Sequence, residues 1–342
     1  MDSSETEADR CTTSTRASSR KSRVYVFHDF LWRTYGTLIG THHNNCLLTN
    51  GAVILDVAGG KGDLSWLLMN VHDVISVVVD PRTCPPSSHL VRSVDWLQQH
   101  PDEARKRSIP HRSTHQPLAT LLPRIVEQRE KRKREHSQNN AQEWQEYLEP
   151  LHLQLELDSA LIEAFRQSIS DVASGQSTRD LCPPTWQKFW DDRIKQTKTH
   201  QETCFEPCFL PESERGRTNA SGKNTRVSDA QKAWCLFQRV KLVVGFHPDQ
   251  ATDACIELAE ELEVPVCIVP CCVFPSEFPN RKLEIQDGNG EATTTRVRDY
   301  RQLLLYLQQK HPKLRKWSLE FHETETSRNV VLYTCPDEFQ QR

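Results

Sequence analysis

No uninterrupted apolar run in this 342-residue chain approaches the roughly 20 residues that span a bilayer, so a membrane-spanning helix is not expected. A secretory leader is not expected either, because the start, MDSSETEADR, is acidic and polar where a leader has a basic start and an apolar run. Net charge is nearly absent: a formal −3 at pH 7 gives no global attraction to nucleic acid or an anionic membrane, so any such partner must be recognised locally. Apolar residues, at 37%, are scarce for a chain packed along its whole length, and part of it is expected to be loosely ordered. The twelve cysteines do not form the disulfide framework of a short secreted chain. Several sit in core-like segments such as Val266-Cys267-Ile268, and free buried thiols are expected. These absences point to a soluble protein of the cytoplasm, with the nucleus also open.

What is present changes along the chain. Residues 1–22 are rich in Ser, Thr, Arg and Glu and cannot repay the entropy of ordering, so they are expected to be a disordered tail. Residues 23–82 are expected to form the first half of a core. There, Val26, Phe27, Phe30, Leu31, Tyr35 and Leu38 recur at helical steps, which predicts an amphipathic helix covering one edge of a sheet. Ala52-Val53-Ile54-Leu55-Asp56 reads as a strand, Leu64, Leu67 and Leu68 as a helix, and Val74-Ile75-Ser76-Val77-Val78-Val79-Asp80 as a second buried parallel strand. Residues 83–235 break this rhythm with charge, glutamine and proline, and are expected to be a helical and loop insertion. Within it a helix is expected at Leu161–Phe165 after the capping pair Asp158-Ser159, and a flexible loop over 199–230. Leu151 to Leu157 alternates with period two, which fits a strand or the face of a long helix.

The α/β pattern returns over 236–336, with strands at Lys241–Phe246 and Val264–Val269 and helices at Asp249–Glu261 and Val297–Gln309. Trp317–Phe321 and Asn329–Tyr333 are separated by a short polar connection and should pair antiparallel. The expected fold is therefore α/β: a Rossmann-like, mostly parallel sheet with helices on both faces and a C-terminal antiparallel hairpin, interrupted by the large insertion.

The chemistry is expected at Asp56-Val57-Ala58-Gly59-Gly60-Lys61-Gly62-Asp63, a glycine-rich turn between strand and helix. Glycine has no Cβ and accepts positive φ, so backbone amides there can approach a polar ligand. A phosphate-binding P-loop does not fit, because Leu55 stands where it needs glycine and Gly62 where it needs Ser or Thr. The dinucleotide signature places Ser65 where its third glycine belongs. With Val79-Asp80-Pro81-Arg82, the turn resembles class I S-adenosylmethionine methyltransferases. The blocks Gly245-Phe246-His247-Pro248-Asp249-Gln250-Ala251-Thr252 and Val269-Pro270-Cys271-Cys272-Val273-Phe274-Pro275 resemble a group of eukaryotic methyltransferase-domain proteins and, more distantly, some tRNA methyltransferases. The resemblance covers roughly residues 24–82 and 234–335.

It implies S-adenosylmethionine as cofactor, held by Asp56, Ala58, Gly59, Gly60, Gly62 and Asp80. Asp56 would organise the loop and the cofactor's amino-acid end, and Asp80 would accept from the ribose hydroxyls. Ala58 stands where the commonest motif has glycine, and no acid after a third strand can be placed against the adenine. The acceptor stays open among RNA, protein and small molecules. A Rossmann-like scaffold without turnover and a nicotinamide-dependent oxidoreductase are the competing readings.

Ligands of doubly wound sheets sit beyond the carboxyl ends of the strands, so His247, Asp249, Gln250, Cys271 and Cys272 are expected to face the same crevice. His247 and Asp249 are candidates to position or deprotonate an acceptor. The plain alternative is that Asp249 caps the next helix and His247 packs. Cys271 or Cys272 as a thiolate nucleophile on a pyrimidine is the sharper reading, against cysteines that fill a strand end. No metal is expected, since Cys204 and Cys208, with Cys182 upstream, lack partners to complete a zinc site. The basic run Arg129–Glu135 fits a nuclear address, an RNA-facing patch or a solvated helix face.

Overall fold

The structure, a computed structural model, describes residues 23–40, 52–82, 88–110, 115–139, 146–175, 182–196, 229–286, 292–320 and 328–339. The tail expected over 1–22 lies outside them, as do Cys204, Cys208 and the loop expected over 199–230, apart from its last two residues, which begin a helix. In chain order the elements begin with α1 (Arg23–Ile39), β1 (Val53–Val57), α2 (Asp63–His72), β2 (Ile75–Val79), α3 (Ser88–Gln99), α4 (Pro101–Ser108) and α5 (Pro117–Asn139). They continue with β3 (Leu151–Leu153), α6 (Ser159–Ala173), α7 (Pro184–Gln196), α8 (Asp229–Phe237), β4 (Val240–Phe246), α9 (Thr252–Glu261) and β5 (Val266–Val269). The last are β6 (Lys282–Gln286), β7 (Ala292–Arg296), α10 (Tyr300–Lys310), β8 (Arg315–Ser318) and β9 (Val330–Tyr333).

The main sheet runs β3-β2-β1-β4-β5-β9-β8, parallel from β3 to β5 and antiparallel at β9. The expected class is observed: a mostly parallel sheet, helices on both faces and an antiparallel pair at its C-terminal end. Every residue of β1, β2 and β5 is buried, which is why these strands read as continuous apolar runs rather than alternating ones. On one face Val53, Leu55 and Val57 pack with residues of α6, α7, α8, α9 and α10; on the other, Ile54, Leu242 and Val244 pack with α1 and α2. A further cluster joins α2 to α3, α4 and α5.

The structure corrects some expectations. Residues 83–235 are not wholly an insertion: β3 pairs parallel with β2 from Val77↔Leu151 to Val79↔Leu153 and completes the sheet, and α6 packs on its face. The open reading of Leu151–Leu157 resolves to a strand only three residues long, too short for composition to reveal. The helix expected at Leu161–Phe165 is α6, and Asp158 caps it by accepting from the Leu161 amide at 3.0 Å. Helix α1 covers a face of the sheet, not an edge, because its apolar stripe meets Ile54, Leu242, Cys267 and Val331, which project from four strands. The Tyr35 hydroxyl fixes its position, donating to the Thr334 carbonyl at 2.7 Å. The hairpin β6–β7 has no clear sequence signal, because Thr-rich β7 and its partner β6 are largely exposed and anchored by buried Leu283. In the basic run, Arg129 bonds Glu146 at 2.8 Å, Lys131 bonds Asp73 at 3.2 Å and Arg132 is buried against Asn70. Those cations tie α5 down, leaving Lys133 and Arg134 exposed.

Between α1 and α2, His28 and His72 stack at 5.0 Å, and Trp32 lies on His72 at 3.5 Å. Burial lowers the pKa of His28 to about 4, with repulsion from Arg124 adding to the effect. His28 is thus neutral when folded but protonates below about 6.5 when unfolded. Its contribution is complete above that pH and is lost as pH falls toward 4. At about 1.4 kcal/mol per tenfold change in proton affinity, the loss is on the order of 3 kcal/mol. Urea melts from pH 7 to pH 4 should show His28→Leu losing less stability than the wild type; parallel declines would refute the assignment.

Candidate functional site

Strand order reverses between β1 and β4: the chain steps from β1 to β2 and β3 on one side, and from β4 to β5 on the other. Such a switch point opens a crevice beyond the carboxyl ends of the strands. A cavity of about 760 Å³ lies there, walled by Val57 and Ala58 at the end of β1, Asp80 and Arg82 after β2, Glu156 and Asp158 after β3, and Asp249 and Gln250 after β4.

The turn from β1 to α2 is built from left-handed backbone. Ala58 has φ 53°, Gly60 φ 56° and Gly62 φ 74°. Gly59 crosses directly over Asp56, and a Cβ there would meet the Asp56 carboxyl at 2.7 Å. Gly62 packs so closely on Pro150 and Val78 that a Cβ would lie 3.0 and 3.1 Å from them. Asp56 is fully buried beneath the turn and does not wall the cavity. Its carboxylate accepts from the Ser65 hydroxyl at 2.8 Å, and Ser65 is in turn 2.8 Å from Ser76 on β2. Burial lifts the Asp56 pKa to about 7, only partly offset by Ser65, while Asp63 and Asp80 add repulsion. Asp56 thus joins β1, α2 and β2 beneath the turn.

Asp80 closes β2, and its carboxylate is fully claimed. The Gly60 amide donates to it at 3.1 Å, the Arg82 amide at 2.9 Å, and the Arg82 guanidinium at 2.9 and 2.8 Å. Burial alone would raise its pKa, but the bonds from Arg82 and Gly60 outweigh that and hold it below the ordinary carboxylate value. Asp80 is buried while the Arg82 side chain is 67% exposed, so the guanidinium is a removable cover on a fixed carboxylate. Beside them His152 of β3 is partly buried, and burial lowers its pKa against the pull of Asp80 and the Gly60 backbone.

The far wall is organised by Asp253, which accepts from the Tyr306 hydroxyl at 2.9 Å, from Lys310 at 3.1 Å and from Arg281. Burial would raise its pKa, but Lys310 and Arg281 bring it below the ordinary value.

The second constellation is only partly gathered. Asp249 and Gln250 line the cavity; His247, Cys271 and Cys272 do not, contrary to expectation. His247 has φ 58°, which turns its ring onto Phe246 at 4.4 Å, and burial lowers its pKa to about 4, with Arg23 and Arg328 also lowering it. It therefore packs as a neutral ring. Asp249 does not cap α9 with its carboxylate, which accepts instead from the Cys271 thiol at 2.9 Å. Burial and that carboxylate push the Cys271 pKa far up, so the thiol is not a ready nucleophile. Among the described residues, Asp249, Cys271 and Cys272 are the group of potential metal ligands whose donor atoms lie within 4.8 Å of one another. Cys182 is a free, half-buried thiol.

Sequence reasoning missed Arg82 as a cover, although it stands two residues after the strand-ending acid. It also missed Glu156 and Asp158, which become visible only once β3 is placed. The Asp253 network had no local signal, because Arg281, Tyr306 and Lys310 reach it from distant sequence. No family model, curated protein or solved structure matches the chain.

The backbone geometry orders the cost of adding a methyl to the turn. Gly60→Ala meets open space and should cost about 1 kcal/mol from left-handed backbone alone. Gly59→Ala should cost more, because its Cβ must displace a buried carboxyl, and Ala58→Gly should stabilise by up to about 1 kcal/mol. Urea unfolding midpoints check the order; a Gly60→Ala loss exceeding that of Gly59→Ala would contradict it.

Proposed function

We propose that the chain is an S-adenosylmethionine-dependent methyltransferase whose cofactor lies in the cavity between the ends of β1 and β4. The observation that carries this reading is the Gly60 amide bonded to the Asp80 carboxylate, which joins the glycine turn to the strand-end acid beside a ligand-sized cavity. A mostly parallel sheet finished by an antiparallel pair is also the arrangement familiar from this enzyme class. The open approach at Gly60 fits a ligand lying against the turn.

Bound there, S-adenosylmethionine would supply an electrophilic methyl on a sulfonium. The chain's residues do the holding. Asp80, kept ionised, would accept from the ribose hydroxyls once Arg82 swings aside, and Glu156 or Asp158 after β3 would supply the acid for the adenine that the sequence left unplaced. Asp56 keeps the turn in shape through Ser65. Asp249 and Gln250 form the part of the wall where an acceptor would meet the methyl, and alignment of the two reactants supplies much of the acceleration. RNA is the acceptor favoured by the resemblance of the His247 and Cys271 blocks to tRNA methyltransferases; protein and small-molecule fractions are tested beside it.

Isothermal titration with S-adenosylmethionine checks the reading. Asp80→Ala should weaken binding at least about tenfold, the equivalent of about 1.4 kcal/mol for lost hydrogen bonds to a charged group. Arg82→Ala should bind as tightly as the wild type or more tightly, since no ionic fork must be displaced. No binding by the wild type, or equal affinity in Asp80→Ala, would overturn the proposal.

A further inference from the structure

Beside the crevice, the ends of β4 and β5 bring together two thiols that the proposed methyl transfer does not use and a carboxylate, Asp249, that also lines the crevice. Asp249 follows β4, and Cys271 and Cys272 follow β5; their carboxylate oxygen and two sulfurs all lie within 4.8 Å of one another. Tetrahedral zinc with bonds of about 2.0–2.3 Å sets its ligand atoms roughly 3.5–3.8 Å apart, so shifts of about 1 Å would complete the set. At present a thiol proton lies between Cys271 Sγ and Asp249 Oδ1, 2.9 Å apart. A cation replacing that proton would join the same two atoms.

The surroundings favour a cation held by anionic ligands. Two thiolates and a carboxylate around a divalent ion leave one negative charge. The His247 Nδ1 is buried without a hydrogen-bond partner, and a metal-bound water is the kind of group that would satisfy it. Sulfur ligands select a soft or borderline ion over magnesium or calcium, and three protein ligands leave a fourth, open position on tetrahedral zinc.

We propose that Asp249, Cys271 and Cys272 form a zinc-binding site at the rim of the crevice. Binding displaces the two thiol protons to solvent as the two Zn–S bonds form, with no change in oxidation state. The site shares Asp249 with the cavity wall, whereas Cys271 and Cys272 lie outside that wall, and its test reads metal content rather than methyl transfer.

The test is metal content of the full-length protein after zinc loading and gel filtration, together with the sulfur-to-metal charge-transfer absorption of the cobalt-substituted form. About one zinc per chain is expected, with a cobalt band showing thiolate ligation. Cys272→Ser and Asp249→Asn change residues that are not fully buried, and each should weaken zinc binding at least tenfold without changing the far-ultraviolet circular dichroism. The double variant Cys204→Ser/Cys208→Ser should retain the metal. Absence of stoichiometric zinc in the wild type would overturn the proposal. So would zinc kept by Cys272→Ser and Asp249→Asn but lost from the Cys204/Cys208 variant.

Discussion

The bend between β1 and α2 is the constraint on which the rest of the site depends. It must leave a strand buried on both faces, cross over a buried carboxyl and enter a helix within a few residues. Left-handed backbone at Ala58, Gly60 and Gly62 achieves this, and the missing Cβ at Gly59 leaves room for Asp56 beneath. The Gly60 amide then reaches Asp80 on the neighbouring strand, so the turn and the strand end hold each other in place. The cavity walls, the capped entry to α6 and the Asp253 network are arranged around that link. Ala58 carries a Cβ at a left-handed φ, a strained conformation costing about 1–2 kcal/mol, and such strain gathers where geometry serves a site.

Charge in the crevice is organised by covering rather than by removal. Asp80 is ionised under an arginine, Asp253 is ionised among Arg281, Lys310 and Tyr306, and Asp56 sits deeper with a pKa lifted to about 7 by burial. These carboxylates lie near the carboxyl ends of the strands yet differ in proton affinity because their burial and partners differ. The same contrast separates His247, neutral and packed on Phe246, from Asp249, which reaches the cavity. A strand end places residues near a ligand without turning every side chain there toward it.

Much of the architecture was legible in the sequence because fully buried parallel strands leave runs of β-branched residues. Val53–Val57, Ile75–Val79 and Val266–Val269 are such runs, and the turn residues between the first two announce themselves through their glycines. Periodicity reports which face of an element is apolar, however, and not what that face meets. Hence α1 was recognised as a helix but assigned to an edge. β3, with three residues, and the exposed β6–β7 hairpin gave no comparable run. In the site, the loop glycines and Asp80 were readable from spacing, whereas the Arg82 cover and the thiol-to-carboxylate bond at Cys271 depend on side-chain directions that no local pattern encodes.

The central claim is that this crevice receives a sulfonium nucleoside against the glycine turn, and a crystal structure of the protein with S-adenosylhomocysteine tests it most directly. The account predicts the ribose hydroxyls on the Asp80 carboxylate, the Arg82 guanidinium displaced toward solvent, and the purine beside Glu156 or Asp158. A ligand bound elsewhere, or Arg82 still closed over Asp80 in the occupied protein, would contradict it.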